Sequence, residues 1–157
     1  MNISIDLQNI SLTNVVFSEK KQNVIMDGSF TKILYSNEFF TMNGLYILFP
    51  IIKNCIEKNF IKFNPYQSNN LSMIQEFSKI EQRILEYYKT TFNCKSKNVN
   101  LLSKQMYYGS MKLYKELNGV DNGKKSIQYI IKISGVWETY DGIGLTFKLI
   151  EVNENYI

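Results

Sequence analysis

The 157-residue chain contains no histidine, which removes most of the familiar catalytic constellations. Without an imidazole there is no Ser-His-Asp or Cys-His pair to activate a nucleophile. Zinc of the usual kind is excluded by the same inventory, because Cys55 and Cys94 form no C-x-x-C pair and have no histidine to complete a tetrahedral set. There is no G-x-x-x-x-G-K-[ST] and no G-x-G-x-x-G after a strand; the Gly142-Ile143-Gly144 triplet reads as a turn feature. Glu81 and Glu86 fall on a helical pattern and Glu138 and Asp141 near a turn, where carboxylates are usually solvated surface groups. Cys94 has lysine neighbours that favour a thiolate, yet an incidental loop cysteine is the plainer reading. The expectation is therefore a non-enzymatic protein without metal or cofactor.

What remains is an interleaving of cations with rings. Lys53, Lys58, Phe60, Lys62, Phe63 and Tyr66 alternate the two over a short span, and Lys32, Tyr35, Tyr46, Lys132, Trp137 and Lys148 repeat the mixture on predicted strands. Single-strand binders need this pairing: lysines neutralise phosphates, and each base stacks on a π-face at about 1–3 kcal/mol per base. The candidate nucleic-acid-binding set is accordingly Lys32, Tyr35, Lys53, Lys58, Phe60, Lys62, Tyr66, Lys132, Trp137 and Lys148. Against it stands the ordinary fate of these residue types, since most rings in a domain of this size are core and most strand lysines are merely solvated. Lys132 and Lys148 share the non-core phase of two strands that should pair, which sets them apart.

Those strands belong to the segment that organises the rest, Ser126 to Val152, which reads as a long β-hairpin. Ile127, Tyr129, Ile131 and Ile133 alternate with polar or outward positions, as do Leu145, Phe147 and Leu149 after a turn at Tyr140-Asp141-Gly142. Gly135 and Gly144 flank the single tryptophan, Trp137, and predict a bent hairpin with a bulge or close backbone approach. Upstream, Ile3 to about Phe49 reads as short strands: the Ile3/Ile5/Leu7 alternation, Val15 to Phe17, Val24 to Met26, a turn at Asp27-Gly28, and Phe30 to Tyr35. Asn43-Gly44 is expected to join Phe39–Met42 to the following strand as a hairpin. Residues 51–63 read as a loop or short helix leading into a strand at Phe60 to Phe63.

The period then changes to 3.6. Leu71, Ile74, Phe77, Ile80 or Glu81, Ile84, Leu85 and Tyr88 form one stripe, which predicts an amphipathic helix over about Ser72 to Tyr88 with a capping box at Ser72 and Gln75 or a cap at Asn69 or Asn70. A second short helix is predicted at Val99 to Tyr108, stopped by Gly109, with a strand at Met111 to Leu117. The Asn118-Gly119 to Lys125 loop leads into the hairpin. One domain over residues 1–157 with a helical insert at about 71–108 follows. Its class is α+β, mainly antiparallel: an OB-like partly open barrel or β-roll with one long inserted helix and a C-terminal hairpin, a β-sandwich with a packed helix being the alternative. Alternating β-α-β architecture is not expected.

A net charge of +4 and a pI near 8.9 are mildly basic, and every basic residue but Arg83 is lysine. With 45% hydrophobic and 14% aromatic residues the chain falls in the globular range. The N-terminus lacks a signal-peptide pattern and no run approaches a membrane span, so the expected location is intracellular, with cytosol, nucleus and a virion interior all open.

Three pieces carry a family resemblance: TKILYSNEFFTMNGLYILFPI (31–51), IEQRILEYY followed by LLSKQMYYGSMKLY, and IIKISGVWETYDGIGLTFKLIEV (130–152). They resemble, in order, blocks of predicted single-stranded DNA-binding, OB-fold-like proteins of large DNA viruses. The resemblance implies a viral replication or genome-handling protein without enzymatic activity, whose partner is single-stranded DNA or RNA. The alternative is a structural or interaction protein, of virion or host contacts, that has lost nucleic-acid binding and meets a partner or its own copy through sheet edges and exposed rings.

Overall fold

The computed structural model describes residues 4–23, 27–115 and 127–153. In chain order these form β1 (Val15–Phe17), β2 (Lys21–Gln22), β3 (Ser29–Ser36), β4 (Thr41–Met42), β5 (Leu45–Leu48), β6 (Cys55–Glu57) and β7 (Phe60–Lys62). Then follow α1 (Ser68–Phe92), β8 (Lys97–Asn98), α2 (Leu101–Tyr108), β9 (Ser110–Lys115), β10 (Ile127–Glu138) and β11 (Gly142–Asn153). The predicted Val24–Met26 strand and the loop from Asn118 to Lys125 lie outside the described residues.

The fold is α+β, with one mostly antiparallel sheet that is unclosed among the described residues. Its strands run β1-β3-β10-β11-β9-β7-β6, with β2 and β4 also on β3, β5 on β10, and β8 on β11. The predicted hairpin is its centre: β10 and β11 are each 12 residues long and pair from Ile127↔Asn153 to Glu138↔Ile143. The register shifts between Ile133 and Gly135, leaving Ser134 as the bulge that the glycines predicted. Two joins are parallel, β8 and β9 both lying beside β11. They lie in line along that one edge with α2 between them and do not pair with each other, so no alternating β-α-β sheet is formed among the described residues.

One face of the sheet is buried by α1. Ile33, Leu45, Ile47, Ile131, Ile133, Val136, Leu145 and Leu149 form a single cluster with Ile74, Phe77, Ile84, Leu85 and Tyr88 of the helix. Phe49 meets Phe77 edge-on with centroids 5.6 Å apart. The predicted stripe is thus the buried stripe, but the helix begins four residues earlier, at Ser68. The expected capping box lies inside it, because Leu71 N–H already bonds Gln67 O at 2.8 Å. No side chain caps this terminus, and Asn70 instead ties the 51–54 segment down. Asn70 is 1% exposed; its amide oxygen accepts from Ile52 N–H and its amide nitrogen donates to Ile52 O and Asn64 O, each at 3.0 Å. Helix α2 ends as predicted at Gly109, in the left-handed conformation (φ 81°).

Three further local expectations are corrected. Asn43-Gly44 makes a corner, not a hairpin, since β4 pairs with β3 and β5 with β10. The hairpin turn lies earlier, where Asn37 Oδ1 accepts the N–H groups of Phe39 (2.8 Å) and Phe40 (3.0 Å). In 51–63 an additional strand, β6, pairs with β7 through a tight turn whose residues Lys58 and Asn59 both have positive φ (49° and 65°). Of the Ile3/Ile5/Leu7 strand only an isolated parallel bridge, Ile5↔Ile47, is formed among the described residues, and Leu7 enters a 3₁₀ turn.

Two substitutions test this packing. Ile84 is fully buried, and an aspartate there would add an uncompensated charge to the loss of about 1.5–3 kcal/mol of burial. Ile84→Asp is expected to abolish the cooperative thermal transition seen by circular dichroism; an unchanged melting temperature would refute the helix packing. A Cβ on Gly144 would lie 2.5 Å from the Trp137 ring, so Gly144→Val is expected to lower the melting temperature by several degrees.

Candidate nucleic-acid interface

Strand alternation leaves the sheet face opposite the helices to the residues between the core positions. Across that face five adjacent strands each contribute one residue to a line perpendicular to the strands. Tyr46 of β5 pairs with Lys132 of β10, Lys132 with Lys148 of β11, and Lys112 of β9 with Phe60 of β7. Lys148 and Lys112 each precede the Leu149↔Leu113 parallel pair by one residue, which sets them side by side. The row therefore reads Tyr46, Lys132, Lys148, Lys112, Phe60.

Rings hold these lysines. Lys132 Nζ lies 5.4 Å from the Tyr46 centroid, while Tyr114 receives two cations, Lys148 at 5.1 Å and Lys112 at 5.2 Å. Beyond Phe60, Lys62 Nζ lies 5.6 Å from that ring and donates to Ser110 Oγ at 2.8 Å. Like charges directly opposite one another on a sheet destabilise it, and here three adjacent lysines share a row. The ion pairs formed among the described residues, Lys20–Glu138, Lys79–Glu76 and Lys89–Glu86, include none of them. Among the described residues the row is thus a cationic line without an ion-pair partner.

Next to it two rings pack against glycines. A Cβ on Gly135 would be 2.5 Å from the Phe30 ring, and Gly144 lies equally close under Trp137, so each ring rests on the strand beside its own. This explains both hairpin glycines as sites of close approach, and both rings are half-buried. Lys32 faces Gly135 across the β3–β10 pair and is exposed on the same surface.

Of the predicted set, Lys32, Phe60, Lys62, Lys132, Trp137 and Lys148 therefore share one face. The others do not join them. Tyr35 is 2% exposed and its hydroxyl accepts from Ser11 N–H at 3.1 Å, so it is a core ring with no face free for a base. Lys53 donates to Tyr129 Oη at 2.8 Å, on a residue of the core side. Lys58 sits at the tip of the β6–β7 turn, and Tyr66, 71% exposed, lies in the segment before α1. Lys112 and Tyr114 were missed, because only the parallel β9–β11 pairing brings them to the row.

Of the four carboxylates read as solvated, Glu81 and Glu138 are corrected. Glu81 is fully buried: its oxygens accept the N–H groups of Leu102 (2.9 Å) and Ser103 (3.0 Å) and the Ser103 hydroxyl, capping α2 from a neighbouring helix. Glu138 Oε2 accepts from Lys20 Nζ and Tyr88 Oη, each at 2.6 Å, joining the β1–β2 segment, β10 and α1. Beside it an open cavity of about 760 Å³ is lined by Lys20, Lys95 and Lys97 but equally by Asp27, Glu138 and Asp141, so its charges cancel. Among the described residues no group of three acidic or cysteine side chains could hold a metal ion, and no helix is long and apolar enough to cross a membrane.

Burial opposes ionisation of Glu138, but hydrogen bonds from Lys20, Tyr88 and Cys94 outweigh it and hold the carboxyl at about 2, below its ordinary 4.5. A depressed folded-state value stabilises the fold above the unfolded value, and that contribution is lost as pH falls. Between pH 4.5 and about 2 the parent is therefore expected to lose stability more steeply than Glu138→Gln in acid titrations followed by circular dichroism; parallel curves would remove this linkage.

No family model, curated protein or solved structure matches this chain.

Proposed function

We propose that the outer sheet face binds single-stranded DNA with little sequence preference, through lysine–phosphate contacts aided by ring stacking. The observation that carries this reading is the row of Lys132, Lys148 and Lys112, three adjacent cations with no carboxylate partner among the described residues, bracketed by Tyr46 and Phe60. A polyanion relieves the mutual repulsion of such a row, and a surface of cations and rings is what a flexible strand requires. The balanced cavity beside Glu138 lacks this asymmetry. The proposal carries with it an OB-like use of the sheet, as a curved open surface over which the strand is laid, supported by the bulge at Ser134. A replication or genome-handling role in a large DNA virus follows from the resemblance described above.

A second reading, an interaction protein assembling through its sheet edge, is favoured by β6, whose three residues are all exposed at the end of the strand order. The two differ in their response to a strand.

Titration with oligothymidylate by fluorescence anisotropy is expected to give a dissociation constant of about micromolar order at physiological salt, tightening as salt is lowered. Each phosphate neutralised contributes about −0.7 to the log-log salt slope, so Lys132→Gln with Lys148→Gln should flatten it by about 1.4. Absence of binding at low salt would remove the nucleic-acid reading and leave the interaction protein.

A further inference from the structure

The glycine-packed rings and the lysine row are aligned strand by strand. In β10, Lys132 is followed on the same face, past the bulge, by Gly135 under the Phe30 ring. In β11, Lys148 is followed back along the strand by Thr146 and then Gly144 under the Trp137 ring. Each central strand thus carries one cation and, roughly 7–13 Å along its axis at about 3.3 Å per residue, one aromatic plane. That separation is of the order between a nucleotide's phosphate and the far side of its base. The two strands are about 4.8 Å apart, more than the ~3.4 Å between stacked bases, so bases resting on both rings must be separated from one another.

Resting on the outer-face reading, we infer that a bound strand crosses β10 and β11 at a right angle, its phosphates along Lys132, Lys148 and Lys112 and two successive bases laid on Phe30 and Trp137. A base can stack on such a half-buried ring only if it is unpaired and unstacked from its neighbours. The ligand class is therefore a splayed single strand, and a duplex is disfavoured by the same geometry. Five strands at this spacing span about 19 Å, so a splayed strand with one phosphate per β-strand places about five nucleotides on the track. Trp137 then has two roles, covering Gly144 and stacking on a base.

Trp137 is the only tryptophan, so its fluorescence reports on this plane alone. The test titrates the full chain with hexathymidylate and with an abasic deoxyribose-phosphate strand of the same length and charge. The inference expects thymidylate to change Trp137 emission and to bind at least about fivefold more tightly than the abasic strand, as one to two stacked bases require. Equal affinities for the two strands overturn the two-track arrangement while leaving the lysine row intact. If neither strand binds at low salt, the outer-face reading itself has failed. Variants sharpen the separation: Lys132→Gln with Lys148→Gln should weaken both probes, whereas Trp137→Leu should weaken only thymidylate, and Trp137→Phe should restore most of the loss. Should Trp137→Leu fail to fold, the comparison of the two strands on the parent chain still decides.

Discussion

A buried carboxylate, Glu81, is the contact on which the arrangement of the second half depends. Removing an ionised carboxyl from water is among the costliest operations in folding unless donors converge on it. Here two backbone N–H groups and a hydroxyl do so, and the N–H groups are the ones that the first turn of α2 would otherwise leave unpaired. One side chain thereby satisfies a helix end and is satisfied by it. The consequences extend outward: α2 is held against α1, Gly109 turns the chain sharply where a Cβ would lie 2.5 Å from Phe63 O, and β9 emerges beside β11. Lys112 and Tyr114 reach the lysine row only because β9 is there.

The sheet divides its labour between faces. The helix side is apolar and closed, with Ile33, Ile47, Ile131 and Ile133 all fully buried. The other side sets its cations on neighbouring strands and holds them against rings. Cation–π contacts orient an ammonium without neutralising it, so the charge stays available. A salt-bridged sheet face would be more stable and electrostatically silent. The Lys20–Glu138–Tyr88 cluster is the contrast within the same molecule: its charges are paired, and they join three elements.

The hairpin glycines connect these observations. Each lets a neighbouring ring pack closely against the backbone, which covers the strand and keeps the ring on the outer face beside the lysines. Local structure, packing and the proposed base shelf are thus one feature read at three levels. The bulge at Ser134 adds the bend that separates the lysine end of β10 from its ring end.

Periodicity alone determined the central hairpin, its bulge region, the stripe of α1 and the Gly109 stop, because these follow from side-chain alternation and backbone freedom within one segment. It also set Lys132 and Lys148 on one outward face, as neighbours in a hairpin must be. Long-range pairing was not legible. Asn43-Gly44 has hairpin chemistry, yet the chain turns there from β3 to β10, since burial of Leu45 and Ile47 against the core decides where β5 goes. Glu81 fell on the apolar stripe of α1 but was read as surface, because its partners are the N–H groups of a helix twenty residues away. Tyr35 and Phe60 have the same aromatic signature and opposite fates, one in the core and one on the row. Lys112 was invisible as a row member because parallel pairing leaves no local signal. Which residues alternate is a property of the sequence; which strand lies beside which, and therefore which lysines meet, is decided by tertiary packing.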